Sequence, residues 1–177
     1  MSQDAIVLTG MKETLDALKE FDKDAVNEFR KVINSELKLA KTEAQSFVTA
    51  KPPLSKWNTQ PARKPRTRGG AGWPAWDQSI IKAGITSTKA EGKVRGDYTT
   101  SAGALKNISA AGVIYELAGR KNKAGVFISN LERKEGEASR LVWKSVDKNK
   151  DRIIDNVSKA LDDAKAKLQK HLDARRG

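Results

Sequence analysis

Few side chains in this sequence are able to do chemistry. The chain has one histidine, His171, and no cysteine, which removes thiolate nucleophiles, disulfides and most zinc sites. Asp147, Asp151 and Asp155 recur at every fourth position and fit ordinary surface charges better than a divalent-ion site. Asp162 and Asp163 are consecutive, so on a helix they do not face each other. Ser109 and Ser129 lack the surroundings of a nucleophile elbow, and the Gly-rich stretch from Arg68 to Gly72 has no Lys-Ser/Thr pair after it, as a phosphate loop requires. The sequence therefore predicts no catalytic residue, no metal site and no cofactor, hence a protein that is not an enzyme.

Charge and aromatic rings remain. The 177 residues carry 34 Lys and Arg against 22 Asp and Glu, a formal charge of +12. The excess is central: residues 51–99 hold a net +7, against −2 for residues 1–50 and +3 and +4 for the two segments that follow, 100–143 and 144–177. From Lys51 to Trp76 there are six basic residues and no acid. Within it Arg63, Lys64, Arg66 and Arg68 alternate with proline and are flanked by Trp57 and Trp73, a combination that neutralises phosphates and stacks on bases in single-stranded nucleic-acid sites. The same residues would serve to meet an acidic protein neighbour, and the plain alternative is a solvated loop charged for solubility. Trp57, Trp73 and Trp76 are candidate anchors for a protein partner, since aromatic side chains are enriched at the centres of interfaces. For Trp76 and Trp143 a place in the core is an equal reading. No helix-turn-helix or zinc-finger pattern supports sequence-specific recognition.

The elements that must position these residues read as a single domain, 1–177. Hydrophobic residues are 38% of the chain and aromatic ones 6%, so the expected core is modest. No apolar run is long enough to span a membrane, and the opening MSQDAIVLTG has no basic region before its apolar stretch, so neither a membrane protein nor a secreted one is expected. Residues 11–50 are helical by periodicity. Leu15, Leu18 and Phe21 mark a short first helix, and Val26, Phe29, Ile33, Leu37, Ala40, Ala44 and Phe47 form one stripe of a long second helix. Residues 51–76, broken by Pro52, Pro53, Pro61 and Pro65 and by a glycine cluster, form a long extended basic loop or arm.

Residues 77–128 are strand-rich: Ser79 to Thr88, Lys93 to Thr99 and Leu105 to Ile108 are short, β-branched and separated by turns, while Val113 to Ala118 suits a strand or a helical turn. Residues 129–143 are a polar connection. Residues 144–174 are helical, with Val146, Ile153, Val157, Leu161, Ala164, Leu168 and Leu172 on one stripe. Helices, then strands, then a helix predict an α+β fold in which the long N-terminal and C-terminal amphipathic helices pack on each other or on a small, mostly antiparallel sheet.

Taken in order, these segments resemble the tail-completion and head-to-tail joining (neck) proteins of long-tailed bacteriophages. The resemblance rests on Gly10 before Leu15 and Leu18, the long helix ending at Phe47 and Val48 before Pro52 and Pro53, the strand after Trp76, the stretch Ala111 to Gly119 and the closing helix from Val146 to Leu172. Within Ala111 to Gly119, Tyr115, Glu116 and Gly119 match a Tyr-Glu-x-Gly element of the family with one extra residue. The departure is the arm, where the family usually has a brief Pro-x-x-Thr-Gly link. The likeness implies a virion protein of the head–tail junction, made in the host cytoplasm, without enzymatic activity. It implies a homo-oligomeric ring, six-fold by that likeness, around the DNA channel. Its partners would be a head-side connector or stopper protein and a tail-tube or terminator protein, with non-specific contact to packaged DNA and no membrane. The competing expectation is a free basic protein that binds nucleic acid without sequence preference.

Overall fold

The computed structural model describes residues 23–58, 74–89, 94–95, 98–99, 103–121 and 124–176. The short helix expected around Leu15, Leu18 and Phe21 lies outside these residues. In chain order the elements are helix α1 (Lys23–Ser46), helix α2 (Gln78–Gly84), strands β1 (Ile85–Lys89), β2 (Val94–Arg95), β3 (Tyr98–Thr99) and β4 (Gly103–Asn107), and helices α3 (Ala110–Leu117), α4 (Val126–Glu135), α5 (Val142–Lys148) and α6 (Lys150–Arg176). β1 pairs with β4, and β2 with β3 in antiparallel register, Val94 opposite Thr99. The fold class is α+β, mainly helical among the described residues. None of the described helices is long and apolar enough to cross a membrane.

The chain divides into two compact units. One comprises Met1–Lys38, Thr88–Ala104 and Asn149–Gly177, the other Leu39–Ser87 and Leu105–Lys148. In the first, α1 and α6 pack on each other through the stripes that the spacing marks. Phe29 and Ile33 bury with Val157, joined by Leu37, Ile153 and Leu161, while Val26 packs with Ala164 and Leu168. Early residues of α1 meet late residues of α6, so the two run antiparallel. The seam also holds a buried carboxylate: Glu36 accepts hydrogen bonds from Arg152 Nε at 3.2 Å and from Asn156 Nδ2 at 2.8 Å. Gly103, where β4 begins, lies against Leu37 and Ile33.

The second unit is built around aromatic rings. Trp57 stands edge-on to Trp76 with centroids 5.2 Å apart and to Phe127 at 5.5 Å, and Trp76 is edge-on to Tyr115 at 5.2 Å. Such pairs contribute about 0.5–1.5 kcal/mol each beyond the area they bury. Around them pack Val48, Ile81, Ile85, Leu131 and Leu141. Ser145, fully buried on α5, donates to the Ala40 carbonyl of α1 at 2.7 Å.

Three segments differ from the sequence expectation. Ser79 to Gly84 is helical rather than extended, because the Asp77 carboxylate accepts from the N–H groups of Ser79 (2.8 Å) and Ile80 (3.0 Å) and so caps α2. The first part of the polar connection expected over 129–143, residues 129–135, belongs to α4, which buries Leu131 and stops at Gly136, where φ is +84°. The single C-terminal helix expected over 144–174 is two helices, α5 and α6, separated at Asn149. The undecided stretch Val113 to Ala118 is helical within α3, whose start is capped by Ser109 accepting from Gly112 N–H at 3.2 Å.

Candidate functional site

The family-like residues Tyr115, Glu116 and Gly119 come together in the second unit, and each has a structural task. Glu116, 4% exposed, sends its carboxylate to the start of α5, accepting from the backbone N–H of Leu141 and, at 3.0 Å, from that of Trp143. The first N–H groups of a helix have no partner within it, and a carboxylate there also meets the positive end of the helix dipole. Glu116 therefore caps α5 from a site 25 residues earlier in the chain.

Arg140, equally buried, completes the corner. Its guanidinium donates to the carbonyls of Tyr115 (2.6 Å), Ala118 (3.1 Å) and, through Nε and Nη2, Gly136 (3.0 and 2.7 Å). One side chain thus ties the end of α3 to the end of α4. Burial lowers the guanidinium from its ordinary value, against the opposing influence of Tyr115, Glu132, Glu116 and Glu135. Gly119 turns the chain between α3 and α4 with φ at +95°, a backbone that other residues rarely adopt, and a Cβ there would also meet the end of the Glu132 side chain.

Tyr115 faces a cleft of about 310 Å³ whose lining also includes Phe47, Glu135, Glu137, Ser139, Arg140 and Lys144. Its hydroxyl donates to Glu135 at 3.1 Å. Burial first, then the charge of Glu135 and the bond to it, raise the Tyr115 hydroxyl far above the ordinary phenol range. Ser139 is the one described non-glycine residue with positive φ, at +81°, and its N–H donates to the Glu116 carbonyl at 2.7 Å. The lining charges balance, two basic and two acidic, and the Lys144 ammonium lies 4.9 Å from the Phe47 ring centroid. Its strongest polar contacts hold the walls to one another.

The tryptophans divide. Trp57 and Trp76, expected at a partner interface, are each 3% exposed and belong to the core of this unit, so their rings have little surface left to give a partner. Their position has another consequence. Trp57 Nε1 donates to the Pro74 carbonyl at 2.9 Å, and the Trp76 backbone N–H donates to the Asn58 carbonyl at 2.8 Å. Asn58 and Pro74, the described residues on either side of 59–73, are thereby held in one closed base. Trp73 and the basic Arg63, Lys64, Arg66 and Arg68 lie outside the described residues.

Trp143 behaves differently. It is 43% exposed, and the Arg120 guanidinium sits 5.1 Å from its ring centroid. Arg140 and Ser139 drew no attention in the sequence, since a lone arginine 25 residues from its carbonyl partner leaves no local pattern. Among the described residues no group of three or more His, Asp or Glu is placed to hold a metal ion. Compared with protein-family models, with curated proteins and with solved structures, the chain finds no match.

Proposed function

We propose that the chain is a virion structural protein of the phage neck, a ring-forming subunit that joins the head connector to the tail tube around the DNA channel in a tail-completion or tail-terminator role. The observation that carries this reading is the closed base at Asn58 and Pro74. Two buried tryptophans pin the ends of an acid-free segment that bears Arg63, Lys64, Arg66 and Arg68. A subunit around a DNA channel needs positive charge without tight base contacts, because strong neutralisation of phosphates would retard DNA passage. It also needs segments that reach neighbours in a closing, head-to-tail interface. Further support comes from the buried polar groups Glu116, Arg140 and Ser145, which are spent on holding helices together, as in a scaffold.

The acid-free charge of the same segment also favours a second reading, a free basic protein binding nucleic acid without sequence preference. Immunogold labelling of purified particles with antibody against this chain separates the two. Gold at the head–tail junction is the expected result. Absence of the chain from intact and disrupted particles would reject the neck role. Within the neck role, deleting Arg63 to Gly72 should preserve helix content and block head–tail joining, and wild-type particle yield would reject the segment's part in it.

A further inference from the structure

We infer that helix α4 is a lid over the aromatic core of the second unit, hinged at Gly136 and able to lift at its Val126 end while the rest of the unit stays folded. The inference does not rest on the neck reading.

Glycines with positive φ bound the helix, Gly125 at +111° and Gly136 at +84°, and a Cβ at either would meet nothing within 4 Å. Space is therefore no reason for glycine at these two positions; the backbone is, since other residues rarely adopt such dihedrals. The two ends are held unequally. Arg140 donates twice to the Gly136 carbonyl and also to the carbonyls of Tyr115 and Ala118, which fixes that hinge to the end of α3. At the other end no described side chain caps the first N–H groups, and Val126 is 78% exposed.

Few groups hold the helix down between these ends. Leu131 is its one buried residue, Phe127 stands edge-on to Trp57, and Glu135 accepts from the Tyr115 hydroxyl. The charges of Glu132 and Glu135 also act on Arg140. Against these stands Glu132 Oε1, buried with no hydrogen-bond partner among the described residues, a group that regains water when the helix lifts. The neighbouring helices are anchored more firmly. α3 buries Ala111, Gly112, Tyr115 and Glu116, and α5 buries Val142 and Ser145 next to the fully buried Leu141. Because Phe127 stands against Trp57, whose Nε1 holds the Pro74 carbonyl, lifting the lid uncovers one of the two residues that close the base at Asn58 and Pro74.

Native-state hydrogen exchange of the full chain, read by NMR in urea below the unfolding transition, tests this. A ten-residue helix does not persist away from its core, so lifting exposes its amides. In wild type the amides of residues 130–135 should be at least about tenfold less protected than those of α3. They should also be less protected than the amide of Ser139, which lies beyond the hinge and donates to the Glu116 carbonyl. Ser145→Ala removes the bond to the Ala40 carbonyl, a bond that persists when the lid is up. It should therefore speed exchange in α3 and α5 by about fivefold and leave that of α4 unchanged. Equal protection of α4 and α3, a Ser139 amide that exchanges with α4, or an α4 that speeds up together with α3 in Ser145→Ala would overturn the inference.

Discussion

Removing the Glu116 carboxylate should destabilise the aromatic unit while sparing the α1–α6 pair. In Glu116→Ala the N–H groups of Leu141 and Trp143 lose their acceptor. A buried donor left unpaired costs about 1–3 kcal/mol, and the lost charge at the start of α5 adds about 0.3–1 kcal/mol. Because Leu141 is fully buried and Trp143 half-exposed, the first donor takes the upper part of that range and the second the lower part. The sum is about 3–5 kcal/mol, a large share of the roughly 5–15 kcal/mol that holds a domain folded. With a urea slope of about 1–3 kcal/mol per molar, the midpoint should fall by at least about 1 M. The described tryptophans, Trp57, Trp76 and Trp143, lie in this unit, so their fluorescence reports on it, while far-ultraviolet circular dichroism is weighted toward the long helices. Glu116→Gln keeps one acceptor and should lose about half as much. If Glu116→Ala lowers the fluorescence midpoint by an amount worth less than about 1 kcal/mol, Glu116 is not what holds the start of α5, and the reasoning fails.

Gly119→Ala should cost about 1–3 kcal/mol through its positive φ, with the approach to Glu132 added; a melting temperature equal to wild type would refute this. The Tyr115 hydroxyl is raised in the folded state, so its contribution is intact below about pH 10 and fades as pH climbs further. There the unfolded chain holds fewer protons than the folded one, and stability falls with a slope of up to about 1.4 kcal/mol per pH unit. Tyr115→Phe should show a shallower alkaline loss in urea titrations, and parallel curves would contradict it. In the α1–α6 seam, Glu36→Ala should lose about 1–2 kcal/mol with its two hydrogen bonds. Glu36→Met should hold or gain stability, because an apolar side chain of similar size avoids burying a charge; a larger loss for Met than for Ala, seen by circular dichroism, would reverse that account. Finally, any affinity of the chain for DNA should fall linearly on a log–log salt plot and flatten when Arg63, Lys64, Arg66 and Arg68 become serine; an unchanged slope in a filter-binding series would remove those residues from the contact.

Periodicity made the long helices legible because their burial repeats locally. Val26, Phe29, Ile33, Ala40 and Ala44 are buried in α1 as their spacing predicts, as are Val157 and Ala164 in α6. It misread α2, where β-branched Ile80 and Ile81 suggest a strand and the deciding group is one capping aspartate just outside the segment. In α4 a single fully buried residue, Leu131, anchors an otherwise polar helix, too sparse a stripe to register. The break at Asn149 was hidden because Val146 and Ile153 are seven apart and continue the same stripe across it. The candidate site was least legible. Glu116 was visible as part of a short motif, but its role depends on N–H groups 25 and 27 residues away. The burial of Trp57 and Trp76 follows from pairing across a proline-rich stretch, whose composition argues for exposure.

The closed base at Asn58 and Pro74 bears on changes of length in such a chain. A segment whose ends are fixed by side chains outside it can change length with little effect on the body that carries it. Doubling a flexible loop adds only about 0.6 kcal/mol to its closure, no more than one of the aromatic pairs below it returns. A change of length between Asn58 and Pro74 should therefore ask little of the body so long as Trp57 and Trp76 persist, and laboratory insertion of an epitope there should leave the body folded.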